Sequence, residues 1–437
     1  MTIALTTDIQ ARLTQAFQER MFLLNSESSQ PFYQLQKKAF SAFSNNGFPS
    51  IRQEEWKYCP VFPHLKEEYM LQPLPPSTEK LAGHLPTEKV NLLLFLNGRF
   101  LPQHSHILDQ SHGLVLGSLA EARKLSPRLF QEYFGQLIST GDHPFADINT
   151  AFCEDGLFIH IPEKCQLRYP VWILHFTASE ANATWNNPRH LIIARKNSIA
   201  TLFEWHQNLD HKGSMDNIAS EIFVLPNATI HHIQLTDRTP EARQIQFQKV
   251  SAARDSNYHS YCFQLGGKLI RHDLRCRLIA ENADVNLFGA YLPSRDQLID
   301  NHTVVDHKKP HAHSNELYKG IMQANGTAVF NGKIFVRPDA QKTNAYQTNR
   351  NLLLDTDSAI YTKPQLEIWA DDVKCSHGTT TGQIDEKAIF YLRSRGISEA
   401  VAKKMILEAF VLEIAALLPD TLIRAKVEEL ISKKIFL

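Results

Sequence analysis

The sequence predicts a mainly β protein whose central core is flanked by α-helical domains at both ends. Three observations lead there. Apolar residues recur at helical spacing near both termini, short β-rich runs separated by Asn, Asp, Gly and Pro fill the middle, and long helical patterns are missing from about residue 190 to 383. The last of these argues against a doubly wound α/β fold, whose parallel strands need helical crossovers. With 437 residues and 43% apolar content, the chain is long enough for about three folding units and a core that needs no staples.

From about Asp8 to Asn45, Ile9, Leu13, Phe17, Met21 and Leu24 recur every three to four residues, which reads as helix. Pro60, Pro63, Pro73, Pro75, Pro76 and Pro86 then predict an irregular connection, because proline cannot sit inside a helix. The first domain is therefore expected over residues 1–90, the β core over 91–383 and a helical domain over 384–437. Within the core, strands are expected at Val90–Leu96, Leu157–Ile161, Val171–Phe176, Leu191–Ala194 and Ile199–Trp205. The alternation Gln244-Ile-Gln-Phe-Gln248 predicts a half-buried strand with amides on one face and apolar residues on the other. Turn residues followed by small and β-branched ones recur at Asn197, Asn227, Asn282, Asn325 and Asp357, at irregular separations. Irregular spacing excludes a strict repeat and fits β-helix coils of varying length, with an antiparallel sandwich as the rival arrangement.

Past Gly382 the pattern returns to helix. Asp385 can cap a helix running to about Arg395, Gly396 stops it, Ser398 caps a second, and Pro419-Asp420 separates a third. In the second helix Val401, Met405, Ala409 and Leu412 form one apolar stripe, and Ile406, Phe410 and Leu417 an adjacent one. So wide an apolar sector suits either a helix packed on two surfaces or a fully buried core helix.

Lys and Arg total 46, as do Asp and Glu, so no net basic field points to nucleic acid or to a membrane surface. Six scattered cysteines without a C-x-x-C pair suggest a reducing compartment, and no export signal or spanning segment is evident, so a soluble cytoplasmic protein is expected. The phosphate-loop, dinucleotide, serine-hydrolase and zinc-protease motifs are missing, and no enzymatic activity is expected.

Cys375-Ser376-His377 is the one compact soft-ligand pair. On a strand, residues i and i+2 share a face, so the thiolate and the imidazole can approach one metal. They supply half of a tetrahedral set, and the rest would come from elsewhere in this chain or from another chain; the other reading is a turn histidine beside a packed cysteine. His302, His307, His311 and His313 form a second group, read as hydrogen-bonded or solvated loop histidines because Lys308 and Lys309 oppose a cation. Cys153, Cys165, Cys262 and Cys276 are expected to be unreactive and packed.

Several stretches carry a family match. They are His307-Lys-Lys-Pro-His-Ala-His-Ser through Tyr318-Lys-Gly-Ile, Phe330-Asn-Gly-Lys-Ile-Phe-Val, Ala340-Gln-Lys-Thr-Asn-Ala, Lys363-Pro-Gln-Leu-Glu-Ile and Asp371-Asp-Val-Lys-Cys-Ser-His-Gly. With Phe48-Pro-Ser-Ile-Arg-Gln-Glu-Glu-Trp-Lys-Tyr near the N-terminus, they resemble the SufB/SufD family of iron–sulfur cluster assembly scaffolds. The match is dense from about 300 to 415, looser from 90 to 300 and thin in the first 45 residues. Where the B branch carries a cysteine after the Leu-rich strand and reads His-Glu-Ala-Thr-Thr later, this chain has Asp357-Ser-Ala and His377-Gly-Thr-Thr-Thr, which points to the SufD branch.

The resemblance implies a right-handed parallel β-helix core and a non-enzymatic scaffold role. It also implies pairing with SufB through the end of the β-helix and binding of the ATPase SufC through the C-terminal helices. Val401, Met405, Ile406, Ala409 and Phe410 would then meet SufC. His377, with Cys375 beside it, would hold a transient iron–sulfur cluster completed by SufB, none being stably bound by this chain alone. A β-helix polysaccharide lyase or hydrolase is the alternative from another class, with Asp371-Asp372 as its only close carboxylate pair in the late coils. A homodimer resting form is the third expectation.

Overall fold

In the computed structural model the described residues are 2–24, 30–71, 78–179 and 182–435. From Val171 onward the chain passes back and forth between two sheets and builds a parallel β-solenoid. One sheet stacks Leu157–Ile161, Arg189–Ala194, Ser214–Val224, Ala242–Ala252, Leu269–Leu278, Leu298–His307, Thr327–Val336 and Ala359–Ile368. The other stacks Asn91–Leu96, Val171–Thr177, Ile199–Asn208, Thr229–Asp237, Asn257–Gly266, Asp284–Tyr291, His313–Met322, Asn344–Leu353 and Lys374–Gly382. Within each of these stacks the neighbours pair in parallel, and the antiparallel sandwich is thereby excluded. All five expected strand runs are strands.

Coils stay in register, so residues of successive coils fall into columns. Ala200, Ile230, Tyr258, Val285, Ser314, Ala345 and Cys375 form one; Leu202, His232, Ser260, Leu287, Glu316, Gln347 and His377 form the next. The turns explain the recurring asparagines. Asn197, Asn227, Asn282 and Asn325 sit at φ of 60°, 57°, 56° and 64°, the left-handed region in which asparagine costs less than most residues. Asn227 Nδ2 donates to Asn197 Oδ1 at 2.7 Å, so adjacent turns are tied together. Asp357 does not share that conformation; at its turn Asp355 accepts from the Asp357 and Ser358 amides instead.

Both outer faces of the solenoid are covered along its earlier coils. Ile9, Leu13, Phe17, Phe40, Phe43 and Trp56 of the N-terminal region pack against Met215, Ile245 and Leu269 of the first sheet. Three short helices, Leu119–Leu125, Pro127–Tyr133 and Pro144–Phe152, add to that layer and were not evident in the sequence, each being too short to establish a period. On the second sheet, Leu407, Val411, Ile414, Ile423, Val427 and Ile431 of the C-terminal helices cover Phe203, Trp205, Ile233, Leu235 and Phe263. The expected caps are present: Asp385 accepts from the Lys387 amide, Ser398 from Val401, and Asp420 from Leu422 and Ile423, while Gly396 has φ 85°.

The Gln244–Gln248 segment differs from expectation. Its two faces are distinct as predicted, yet both are buried: the amides point into the lumen and hydrogen-bond along it, while Ile245 and Phe247 face the N-terminal layer. A strand covered on both sides still alternates when its lumen is polar. Of the proline-rich connection, Pro73, Pro75 and Pro76 lie outside the described residues. No helix among the described residues is long and apolar enough to cross a membrane.

The segment Phe48–Tyr58 is laid along the first sheet by a buried charge network. The Arg271 guanidinium lies 3.6 Å from the Trp56 ring centroid and donates to the Glu55 carbonyl at 2.9 Å. It also pairs with Asp273 at 2.8 Å and Asp300 at 2.5 Å. Farther along, Tyr58 stacks on Tyr361 with centroids 4.0 Å apart. Arg271→Ala leaves Asp273 and Asp300 buried without their cation, and it is expected to lower stability by about 3–5 kcal/mol. The shift of the urea midpoint, followed by tryptophan fluorescence, measures this.

Candidate functional site at the open end of the solenoid

The last coil consists of Ala359–Ile368 and Lys374–Gly382, and each strand closes its sheet. With a neighbour on one side only, each leaves a row of backbone donors and acceptors at the edge. In Lys374–Gly382 every residue is exposed except half-buried Cys375. The inward-facing columns therefore end in the open, and their terminal members are Cys375 on Ala345 and His377 on Gln347.

Cys375 packs against the lumen's apolar cluster, and burial pushes its thiol up despite the hydrogen bond to the Ala345 backbone. His377 is exposed on the same face, two residues on. Beneath it, Gln347 Nε2 donates to Glu316 Oε2 at 2.5 Å. Glu316 is fully buried, and burial pushes its carboxyl up to about 7 although Thr303 and Gln347 hydrogen-bond it. Beside the pair, Thr362 and Thr379 hydroxyls lie 3.2 Å apart. The structure thus places Cys375 and His377 together on one face at the mouth of the lumen.

The four histidines of the second group are dispersed. His302 lies on the outer face, bonded to Glu55 Oε2 at 3.1 Å and Asp300 Oδ1 at 2.9 Å. His307 points into the lumen and meets Ser314 Oγ at 2.9 Å. His311 occupies a left-handed turn position, and exposed His313 hydrogen-bonds Asn344. Cys153, Cys262 and Cys276 are buried and their thiols are raised by burial, whereas Cys165 is half-buried.

On the helix Glu399–Ala415, Ala402, Leu407, Val411, Ile414 and Ala415 are buried, while Val401 (51%), Met405 (43%) and Ala409 are exposed. Ile406 and Phe410 are half-buried, and the Lys319 ammonium sits 4.5 Å from the Phe410 ring. Phe390 and Tyr391 on the preceding helix are also exposed, so an apolar surface stands uncovered beside the solenoid.

Sequence reasoning missed a second cluster, deep in the lumen. Glu204 is surrounded there by His175, His190, His206 and His232. Burial raises the Glu204 carboxyl, but hydrogen bonds from His175 and His232 outweigh it and hold the group well below the usual carboxylate range. The signal was present in the alternation of Ala200, Leu202, Glu204 and His206 against Phe203 and Trp205. Alternation alone does not say which face is the lumen.

Two family profiles match the chain: "SUF system FeS cluster assembly, SufBD core domain" over residues 176–410 and "SufBD protein N-terminal region" over residues 7–173. An iron–sulfur cluster assembly SufBD family protein of Synechocystis is 30% identical over 395 residues, covering 88% of this chain and 87% of that relative. The iron–sulfur cluster assembly protein SufD of Escherichia coli is 31% identical over 379 residues, 86% of each chain. A chloroplastic protein of Arabidopsis thaliana, ABCI7, is 28% identical over 323 residues, 72% of this chain and 68% of that relative. The chain belongs to the SufB/SufD family of the SUF iron–sulfur cluster assembly system. Within that family it is SufD-like.

Glu316 gives the open end a pH signature. The folded chain holds its proton up to about pH 7, the unfolded chain only to about 4.5, so folding is progressively weakened as pH rises across that window. Glu316→Gln removes the titrating group and is expected to flatten the loss, by on the order of 3 kcal/mol at pH 8. Urea midpoints of the two proteins at pH 5 and pH 8 provide the comparison.

Proposed function

We propose that this chain is a non-enzymatic scaffold subunit of cytoplasmic iron–sulfur cluster assembly. It pairs with SufB through the open last coil and binds SufC through the C-terminal helices. The observation that carries the reading is the pair of half-buried Cys375 and exposed His377 on an edge strand at the mouth of the lumen. Thiolate and imidazole suit iron, and a set split between two chains lets rearrangement of the interface release the cluster, which is cargo and not a resident group. Tyr361, Ile368 and Trp369 are exposed around the same end and supply apolar contact area for a partner coil. The uncovered Val401, Met405 and Ala409 stripe suits SufC, with Ile406 and Phe410 at its margin.

A second copy of this chain can also pair with the free edge, which makes the homodimer the competing assembly. Of the carboxylate pair that the polysaccharide reading needs, Asp372 is ion-paired with Lys342 at an exposed turn.

Anaerobic co-expression with SufB and SufC from the same genome tests the proposal, with subunit ratio read by light scattering and iron and sulfide assayed on the peak. A stoichiometric ternary complex is the expected result; elution of this chain alone or as a homodimer, while the others associate without it, overturns it. In that complex His377→Ala is expected to preserve assembly and lower cluster content at least about tenfold, since even an outer-shell change costs a metal site that much. Unchanged iron and sulfide would remove His377 from the ligand set. Val401→Asp with Met405→Asp puts charges into the apolar stripe and is expected to release SufC while SufB stays bound, as read by size exclusion.

A further inference from the structure

We propose that His175, Glu204 and His206 form a binding site for a divalent first-row transition ion inside the solenoid lumen, separate from the open coil end. His175 and His206 are register partners on neighbouring strands, and Glu204 precedes His206 by two residues on the same inward face. One ligand atom from each lies within 4.8 Å of the others, and the three residues are 5%, 1% and 1% exposed. The His175 and His206 rings stack with centroids 4.6 Å apart and planes 7° from parallel, and Phe95 stacks on the other side of His175 at 5.0 Å. The three side chains meet in one place, and because the lone pairs of stacked rings run side by side, His206 turns out of the stack to share an ion with His175.

An independent observation comes from His206. Among the described residues neither of its ring nitrogens has a hydrogen-bond partner, although the residue is buried. A buried polar atom left unpaired is costly, and a metal bond satisfies it as a hydrogen bond would. The surroundings also have the form of a ligand's supporting shell. His232 Nε2 lies 2.7 Å from Glu204 Oε2, and Gln234 Nε2 donates to the same oxygen at 3.0 Å; Oε1 is hydrogen-bonded with His175 Nε2 at 3.1 Å, a contact that the ion replaces as the imidazole proton moves to Nδ1. Tyr258 is hydrogen-bonded to His232 Nδ1 at 3.1 Å and accepts from Gln248 at 2.7 Å, so the ring of His232 is held as well.

The fourth neighbour, His190, is excluded as a ligand by its own hydrogen bond. Its Nδ1 accepts from the Leu157 amide at 3.0 Å, so the neutral ring carries its proton on Nε2, the nitrogen facing Glu204 at 3.5 Å. Charge does not oppose the ion either. Arg238, the cation facing this part of the lumen, is paired with Asp216 at 3.1 Å and donates to Thr177 and Gln244. Two imidazoles and one carboxylate with an open fourth position suit zinc or iron(II), and no thiolate is among them. Bonds near 2.1 Å require the ligand atoms to draw together to about 3.4 Å, which the same turn of the His206 ring supplies.

The test uses the full chain carrying Cys375→Ser and His377→Ala, so that the open end contributes no metal. The protein is expressed in zinc-supplemented medium, desalted in the presence of a chelator, and its metal is measured by mass spectrometry. Roughly one zinc ion per chain is expected, falling at least tenfold on adding His206→Gln. Zinc-free protein, or zinc retained equally in the His206→Gln protein, overturns the site. Cobalt(II) loading of the background protein gives a reading that does not depend on the folding of the His206 variant. Visible d–d bands without a thiolate charge-transfer band are expected. A spectrum with no such bands, or one dominated by thiolate absorption, overturns the assignment.

Discussion

The constraint on which the rest of this molecule depends is in-register parallel pairing of successive coils. Each inward side chain must rest on the equivalent side chain of the coil before it and carry that of the coil after. A polar group placed inside therefore needs a polar neighbour in the lumen. Tyr291, Asn349 and Asn351 show the consequence: the Tyr291 hydroxyl donates to Asn351 Oδ1 at 2.6 Å, Asn349 Nδ2 donates to Tyr291, and Asn351 Nδ2 to Asn349. Close stacking also dictates glycine at position 289, where a Cβ would overlap the Tyr318 ring of the next coil. Where the coils stop, the column stops as well, and its last members have one satisfied side and one free one.

That constraint orders the covering layers too. Two sheets with a filled lumen still have two outer faces, and the sequence places large apolar residues on both. Both layers pack through apolar contact, and the N-terminal one adds a buried arginine. These are different kinds of attachment. Arg271 joins an aromatic ring, a backbone carbonyl and two carboxylates, so its geometry is specific. The helix Glu399–Ala415 uses leucine, valine and isoleucine on one side and leaves valine and methionine uncovered on the other, so its inner face alone is spoken for.

Much of this was legible in the residues. Strand runs, helix caps at Asp385, Ser398 and Asp420, and the stop at Gly396 follow from local chemistry that neighbours cannot change. The asparagines at the turns announced left-handed conformations, and the Cys375/His377 spacing announced a shared face. What could not be read was which face of each strand is the lumen. Gln244–Gln248 looks half-buried because amides normally face water, and only the second sheet closing over them makes them interior. Glu204 and His206 were hidden for the same reason, since their partners His175, His190 and His232 come from other strands and meet them only when coils stack. The short helices between 119 and 152 fall below the length at which periodicity carries information.

The lumen thus connects two proposed ligand sets of opposite character. Cys375 is half-buried and His377 exposed at the open end, where the proposed set needs a second chain to complete it, while His175, Glu204 and His206 are harder, sealed and braced by other side chains. Exposure governs how readily bound metal leaves, because a ligand set in contact with water exchanges through water and an enclosed one exchanges only when the coils open. A cargo that must be handed on calls for the first arrangement; an ion that stays calls for the second. The in-register solenoid supplies both from one structural rule, since its end is open by termination of the stack and its interior is closed by continuation of it.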